Sequence, residues 1–356
     1  MTTMHSDSSL AKRLKITHPI IQGPFGGGLS SVDLVAAVSN SGGLGSYGAH
    51  IFNGTEIKEL CVRIRTKTDR PFAINLWVSN EDPELSKFTE PQFIAQRNHY
   101  GEVYQRFGLE PPEWGDQHPA NFDEQMEGVL EAAPAVFSFV FGISSPDILK
   151  ACRERGILTI AAATTIAEAV AVEEAGVDMV LATGAEAGGH RPSFLRPSED
   201  SLVGTFALLP AVRDNVRIPV IAAGGIADHR GVAAAQQLGA DGVQIGTAFL
   251  ACAESGTTSA HRESLLDNID GLTTLSRAVT GRFARFLPNE LSTNAPTKGA
   301  SPLPFPAQSW LTGPIKNAAA VTVDPEFSSL YAGQVVPLVK HPKVDVLMQE
   351  LIRGWN

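Results

Sequence analysis

The sequence predicts a (β/α)8 TIM barrel with an inserted segment and a C-terminal lid or substrate domain. Short apolar runs alternate with amphipathic stretches of helical period, which is typical of βα units in a parallel sheet. Eight such runs are present. At 356 residues the chain is long enough for one large barrel with appended segments, rather than several small modules.

Each apolar run is predicted to be one strand of the barrel. In chain order these strands are residues 19–25, 43–49, 72–78, 135–141, 158–163, 179–183, 219–223 and 242–245. Residue types that begin or end helices flank several of the segments between them. The starts are at Ser30-Ser31, Ser144-Ser145-Pro146 and Asp228, and the stops are at Gly156, Gly176 and Gly239.

Two segments, 81–133 and 253–340, are too long for ordinary loops and are rich in proline and aromatic residues. They follow the third and eighth strands, so we expect both to lie over the face of the barrel that carries active sites. We therefore predict a barrel over 14–252 with a lid insertion at 81–133, a lid or substrate-side domain at 253–340, and a C-terminal helix at 341–356.

Composition excludes several classes of protein. A formal net charge of -10 at pH 7 argues against a nucleic-acid partner. The first residues lack an apolar signal region, and no apolar stretch is long enough to span a bilayer, so we expect a cytoplasmic protein without membrane contact. The scattered Cys61, Cys152 and Cys252 predict buried free thiols, and no histidine or cysteine spacing predicts a metal site.

Two glycine-containing pairs predict a phosphate site. Gly224-Gly225 follows the seventh predicted strand and Gly246-Thr247 follows the eighth, which is where TIM barrels bind phosphate. Glycines let backbone N–H groups approach phosphate oxygens, and the Thr247 hydroxyl adds a donor. The alternative is that these glycines only form tight turns, but their occurrence after both strands favours phosphate.

A competing dinucleotide-binding pattern, GLGSYG, occupies residues 43–48, and Asp69 follows about twenty residues later. A dinucleotide fingerprint should follow a strand and open a helix. Here a predicted helix, 32–40, precedes the glycines, and the glycines fall inside the second predicted strand. The context therefore disfavours a Rossmann domain.

His190 follows the sixth predicted strand, behind Gly188-Gly189, on the same face as the phosphate site. A histidine there can remove a carbon-bound proton beside an electron-withdrawing group, which favours catalysis over local hydrogen bonding in a loop. Asn75 is either a flavin contact or a turn-forming residue after the third strand. Gln244 is either a cofactor contact or a polar residue of the barrel interior.

The chain resembles the nitronate monooxygenase family, formerly called 2-nitropropane dioxygenases, from about residue 14 to residue 339. The matching stretches are PIIQGPFGGGLSSVDLVAAVSNSGGLGSYGA, PFAINLWV, GAEAGGHR, LVGTFALLP, PVIAAGGIAD, GVQIGTAFL, AVTGRFARFLPNE and DPEFSSLYAGQ. The last two are the most specific. This resemblance implies an FMN-dependent enzyme that oxidises alkyl nitronates, and nitroalkanes after proton removal, with O2 to a carbonyl compound and nitrite.

The resemblance also implies roles for individual residues. His190 is implied as the catalytic base, and Phe25 and Tyr331 as substrate contacts. The implied FMN contacts are Pro24, Phe25, Asn75, Gly204, Gly224, Gly225, Gln244, Gly246 and Thr247.

Four positions depart from residues that are common in the family. Relatives often carry Met at Phe25, Trp at Tyr331 and Gly at Pro192, and some carry a Lys near Ala162. These departures leave the physiological substrate open. Pro192 restricts Arg191 and its own φ angle, which can re-aim the loop that carries His190.

Two other functions are consistent with these features. Enoyl-thioester reductases and some NAD(P)H:quinone reductases share the barrel, the glycine phosphate site and a similarly placed histidine, so fold alone does not separate them from monooxygenases. A barrel that binds a phosphate-containing ligand without catalysis is the non-enzymatic alternative. The quaternary state is also open, with a homodimer as one option.

Overall fold

The computed structural model describes residues 10–78, 82–115, 121–293 and 302–355. Its strands are β1 (Ile20–Gln22), β2 (Gly45–Gly48), β3 (Phe72–Trp77), β4 (Val136–Val140), β5 (Leu158–Ala163), β6 (Met179–Thr183), β7 (Gly189–His190), β8 (Val220–Ala223), β9 (Gly242–Ile245), β10 (Thr274–Ser276) and β11 (Ala284–Phe286). Eight of them form a parallel sheet in the order β1-β9-β8-β6-β5-β4-β3-β2. A bridge between Ile21 and Leu44 joins β1 to β2 and closes the ring. The predicted TIM barrel is confirmed.

The α-helices are α1 (Leu10–Leu14), α2 (Val32–Asn40), α3 (Gly54–Arg65), α4 (Glu90–His99), α5 (Gly101–Phe107), α6 (Phe122–Ala132), α7 (Pro146–Glu154), α8 (Ile166–Glu174), α9 (Thr205–Asn215), α10 (His229–Gln237), α11 (Thr247–Leu250), α12 (Ser259–Leu266), α13 (Glu290–Thr293), α14 (Ala307–Thr322) and α15 (Val344–Ile352). Short 3-10 turns lie at Pro83–Lys87, Ser198–Ser201 and Val336–Leu338. No helix within the described ranges is both long and apolar enough to cross a membrane.

The predicted helix boundaries rest on the expected capping contacts. The Ser31 hydroxyl accepts a hydrogen bond from Leu34 N, and the Asp228 carboxylate accepts one from Arg230 N. The three glycines predicted to stop helices have φ angles of +70° to +99°, in the left-handed region that favours glycine; they are Gly156, Gly176 and Gly239. These short caps turn the chain directly into the next strand.

The apolar core has two layers. Inward-facing strand residues such as Ile21, Val136 and Ile221 fill the ring, and Leu10 and Leu14 of α1 pack into the same cluster. A larger cluster lies between the outer face of the strands and the surrounding helices. Cys61, Cys152 and Cys252 are buried and unpaired, which confirms the prediction of free thiols.

The glycines of the GLGSYG segment have a packing function. A Cβ on Gly45 would lie 2.1 Å from the Val35 carbonyl oxygen of α2, and one on Gly48 would lie 2.6 Å from the Phe25 backbone. The segment forms β2 after helix α2, rather than a turn that opens a helix. The structure therefore confirms that this pattern does not mark a Rossmann domain.

The segments that lead into β6 and β9 are similar in sequence, and an aspartate in each makes the same contact with a neighbouring strand. The Asp178 carboxylate accepts the Thr159 N–H at the start of β5, at 2.9 Å. The Asp241 carboxylate accepts the Val220 N–H at the start of β8, at 2.8 Å. In each case an aspartate just before one strand holds the beginning of the neighbouring strand and sets its register.

The long segments after β3 and β9 pack in part on each other. Tyr100 and Tyr104 lie in a buried cluster with Phe286, Ile315 and Phe327, so α5 meets α14 and β11. β10, β11 and β7 form a small antiparallel sheet. Helix α6 instead packs closely on α3. A Cβ on Gly128 would lie 2.3 Å from the Gly54 carbonyl oxygen, so this crossing needs glycine.

Candidate active site

A cavity of about 570 Å³ opens at the carboxyl ends of the barrel strands, under α14 and the segment that carries Tyr331. This volume is within the range of small-molecule and cofactor sites. Most of the predicted site residues line it: Pro24, Phe25, Asn75, His190, Gly224, Gly225, Gln244, Gly246, Thr247 and Tyr331. Gly204 is not part of this lining. The structure therefore brings together residues from β3, β7, β8 and β9 that are far apart in sequence.

One end of the cavity is formed by exposed backbone. Gly224 and Gly225 have φ angles of +102° and +74°, which side chains rarely adopt. A Cβ on Gly224 would also lie 3.1 Å from Ala187 N. Thr247 begins α11, and its hydroxyl accepts the Gly333 N–H at 2.9 Å. Bare backbone beside a threonine hydroxyl at a turn suits phosphate oxygens.

Gly204 does not line this end of the cavity, and a carboxylate of the cavity wall, from Glu186, binds the start of its helix. Gly204 is the N-cap of α9, and the Glu186 carboxylate accepts the Thr205 N–H at 2.8 Å and the Thr205 hydroxyl at 2.9 Å. A Cβ on Gly204 would lie 3.1 Å from a Glu186 oxygen. The α9 N-terminus is thus occupied by an internal anion, and Gly204 makes room for it.

Asn75 and Gln244 are held in strands of the barrel. Asn75 lies within β3, so its interpretation as a turn-forming residue after the strand is wrong. Its amide donates a 3.0 Å hydrogen bond to the Ser138 hydroxyl of β4, which fixes the side chain at the cavity floor. Gln244 lies in β9 and also faces the cavity.

His190 is presented on β7, where it pairs with Ala284 of β11. Its Nε2 lies 2.8 Å from the Thr280 hydroxyl. The ring meets Trp77 edge-on at 5.0 Å and Tyr331 at 5.5 Å between ring centroids. The imidazole is therefore oriented by one hydrogen bond and by contacts with two aromatic rings.

Burial lowers the pKa of His190 well below its ordinary value of 6.5, and the nearby positive charge of Arg282 lowers it further. The ammonium of Lys316 contributes in the same direction. The imidazole is thus neutral near pH 7, with one nitrogen carrying a proton and the other a lone pair. Only the neutral form can accept a proton.

The loop after His190 is anchored by Arg191, which is buried. Its guanidinium donates to the Thr183 carbonyl at 2.6 Å and to the Gly184 carbonyl at 2.7 Å, and it also donates to the Ser201 carbonyl. These bonds tie the loop to the end of β6. Pro192 follows with its side chain on the cavity wall, and His190 lines the same cavity.

Several residues in the cavity, and one directly behind its wall, were not anticipated from the sequence. His50 stacks on Trp77, and Lys316 projects from α14. The Arg282 guanidinium lies 3.9 Å from the Phe141 ring centroid and forms a 2.8 Å ion pair with Asp82. His50 directly follows the second predicted strand, so the reasoning applied to His190 would have found it. No pattern in the sequence marks Lys316, whereas Arg282 lies within the stretch AVTGRFARFLPNE that supports the family resemblance.

Comparisons with known proteins agree with this architecture. The family model described as nitronate monooxygenase matches residues 7–354. A probable nitronate monooxygenase of Staphylococcus haemolyticus is 36% identical over 353 residues, covering 98% of this chain and 97% of the relative. One from Staphylococcus aureus (strain MRSA252) is 36% identical over 355 residues, covering 99% of this chain and 98% of the relative.

Two solved structures are also similar over nearly the whole chain. A nitroalkane oxidase from Streptomyces ansochromogenes has a TM-score of 0.87 and 35% identity, and the match covers 97% of this chain and 96% of that one. FabK from Thermotoga maritima has a TM-score of 0.74 and 28% identity, with 97% and 95% covered. The sequence match over nearly all residues decides the family: this chain belongs to the nitronate monooxygenase family of oxidoreductases.

Proposed function

We propose that the protein uses FMN to oxidise alkyl nitronates, and nitroalkanes after proton removal, with O2 to a carbonyl compound and nitrite. One observation carries this proposal. The glycine-rich turns and the neutral His190 line the same cavity, so a cofactor phosphate and a proton acceptor share one site. Family membership supplies the nitronate chemistry.

The volume of the cavity and the chemistry of its walls support FMN as the cofactor. We assign the phosphate to the turns of Gly224, Gly225, Gly246 and Thr247, where backbone and a hydroxyl face the cavity. Asn75, Gln244 and the Pro24-Phe25 turn face the region left for the flavin ring. When bound, FMN would supply the electron acceptor for the nitronate and the reductant for O2. Gly204 adjoins this set through Thr205, whose hydroxyl donates to the Gly224 carbonyl, but Gly204 itself does not line the cavity.

His190 is assigned the removal of the α-proton from a neutral nitroalkane. Its neutral ring can accept that proton. The positive charges of Arg282 and Lys316 favour the nitronate anion that results. Phe25 and Tyr331 face the same space and are assigned to contact the substrate.

We also propose that segment 81–133, apart from helix α6 that packs on α3, and segment 253–340 act as the cover and substrate side of the barrel at 14–252, followed by the terminal helix at 341–356. Ser309, Gly313 and Lys316 of α14 line the cavity, which supports this role for the second segment. The pairing of Asp82 with Arg282 joins the two segments beside the same cavity.

A flavin reductase that uses NADH or NADPH is the second candidate, because fold alone does not separate such reductases from monooxygenases. The similarity to FabK from Thermotoga maritima over nearly the whole chain is a similarity of fold and is consistent with either function. The test begins with the absorbance spectrum of the purified protein and an analysis of the released flavin. NADH and NADPH are then added without oxygen. Rapid bleaching would support the reductase, whereas stable flavin absorbance together with turnover of a nitronate in air supports the proposed function.

A further inference from the structure

We propose that Thr280 is a positioning residue for His190, which fixes the tautomer that can take a proton from a neutral nitroalkane. This inference rests on the proposed base role of His190. The Thr280 hydroxyl lies 2.8 Å from His190 Nε2, and Thr280 is buried. Because a neutral imidazole has one N–H and one lone pair, the partner of one nitrogen decides which nitrogen is basic.

The surroundings of Thr280 permit two arrangements. Its hydroxyl oxygen accepts the Arg282 N–H at 3.3 Å, and the hydroxyl can donate to the Arg282 carbonyl at 3.4 Å. When it donates there, Oγ1 is free to accept from Nε2–H, and the lone pair of His190 is on Nδ1. When it donates to Nε2 instead, the only lone pair of the ring is engaged and Nδ1 carries the proton. The base role requires the first arrangement.

The proton transfer balances in this arrangement. The bond between the α-carbon and its hydrogen breaks, the proton moves to Nδ1, and the electron pair enters the nitro group to form the nitronate. His190 is then a cation with N–H groups on both nitrogens. Its bond from Nε2–H to Thr280 becomes charge-assisted and stronger, which offsets part of the cost of a cation in a buried, positively charged site.

Thr280 is itself held by segments distant in sequence. It lies two residues before Arg282, whose Nε forms a 2.8 Å bond with Asp82 Oδ1. Asp82 Oδ2 also accepts the Phe305 N–H at 3.2 Å. The guanidinium packs on the rings of Phe141 and Phe305. The loop that presents the hydroxyl is therefore fixed from both sides before any substrate is bound.

The test compares Thr280→Val, which keeps the shape but removes the hydroxyl, with Thr280→Ser, which keeps the hydroxyl. Each holoenzyme is assayed with neutral nitroethane and with preformed ethyl nitronate. We expect Thr280→Val to lower kcat/KM for nitroethane by about 100-fold, the scale of a misplaced catalytic group. Its activity on the nitronate should be unchanged, because that proton is already gone. Thr280→Ser should retain activity on both.

Two further readouts separate positioning from a structural role. In Thr280→Val the acid limb of the nitroethane pH profile should move to lower pH, because the imidazolium has lost an acceptor, while flavin content should stay at the wild-type level. Equal losses on both substrates, or no loss on nitroethane, would overturn the proposal. His190→Asn tests the base role itself: wild-type nitroethane activity in that variant would refute the role, whereas its loss beside an active Thr280→Val would refute only the positioning.

Discussion

The imidazole of His50 lies flat against the indole of Trp77, with ring centroids 4.0 Å apart and planes 2° from parallel. The same indole meets His190 edge-on. Burial is the main cause that lowers the pKa of His50 to about 3, so this ring, like His190, is neutral near pH 7. Trp77 thus separates two neutral histidines on one wall of the cavity.

Trp77→Ala should destabilise the fold by about 3–5 kcal/mol, as for other large aromatic residues removed from a core. The free energy of unfolding in urea measures this effect. Trp114→Ala is the control, because Trp114 is 40% exposed and meets Phe88 and Phe93 in edge-to-face contacts rather than in a parallel stack. Equal losses in the two variants would show that the Trp77 stack contributes little.

Gly45→Ala should cost about 1–3 kcal/mol of folding stability, since the added methyl group must displace backbone atoms of α2. The clash is with the Val35 carbonyl oxygen, only 2.1 Å from the ideal Cβ position. Gly101→Ala is a matched control in helix α5, where the Cβ meets no atom within 4 Å. Thermal unfolding of both variants compares them directly, and an unaffected Gly45→Ala would contradict the close approach.

Thr247→Val should weaken FMN binding by roughly 10- to 100-fold, the expected effect of losing one hydrogen bond to a charged group. Dissociation constants from flavin fluorescence provide the measurement. Thr322→Val, on the exposed surface of α14, serves as the control. Undiminished affinity in Thr247→Val would place the phosphate elsewhere in the cavity.

Oxidation of a preformed nitronate should lose efficiency as the pH rises through about 8. Burial lowers the pKa of the Lys316 ammonium to about 8, so it is charged below that pH and neutral above it. The attraction for the anionic substrate therefore disappears on the alkaline side. We expect Lys316→Met to remove this decline and to lower kcat/KM near pH 7 by roughly tenfold, or about 1.4 kcal/mol.

The exposed Lys150, on α7, provides a charge-matched control for this measurement. Lys150→Met should keep the wild-type pH profile. A decline above pH 8 that persists in Lys316→Met would assign it to another group.

The barrel was predictable because its strands are short and apolar and its helices begin and end at residues with defined capping chemistry. Ser31, Asp228 and Gly239 each perform the local role that their residue types indicate. The glycine turns were equally accessible, since their positions after β8 and β9 follow from counting units along the chain.

The polar and charged residues on the other side of the cavity were much harder to predict from the sequence. Thr280, Arg282 and Lys316 come from segments without strand periodicity. Thr280 and Lys316 line the cavity, and Arg282 lies behind Phe141 and Phe305 of its wall, only after those segments fold across the barrel. The expected contact from Gly204 illustrates the same difficulty. Whether a glycine faces a ligand or makes room for a neighbour such as Glu186 is decided by tertiary structure.

The bridge between Ile21 and Leu44 leaves the ring with one thin seam. There β1 and β2 are joined by bonds from Gln22 N to the Leu44 carbonyl and from Leu44 N to the Ile20 carbonyl, whereas β3 and β4 align over five residue pairs. Amide hydrogen exchange at Gln22 and Leu44 should therefore be faster than in the middle of β3. Strand β1 continues directly into the Pro24-Phe25 turn, which lines the cavity. Local opening of the β1–β2 pairing would therefore admit solvent beside the cavity.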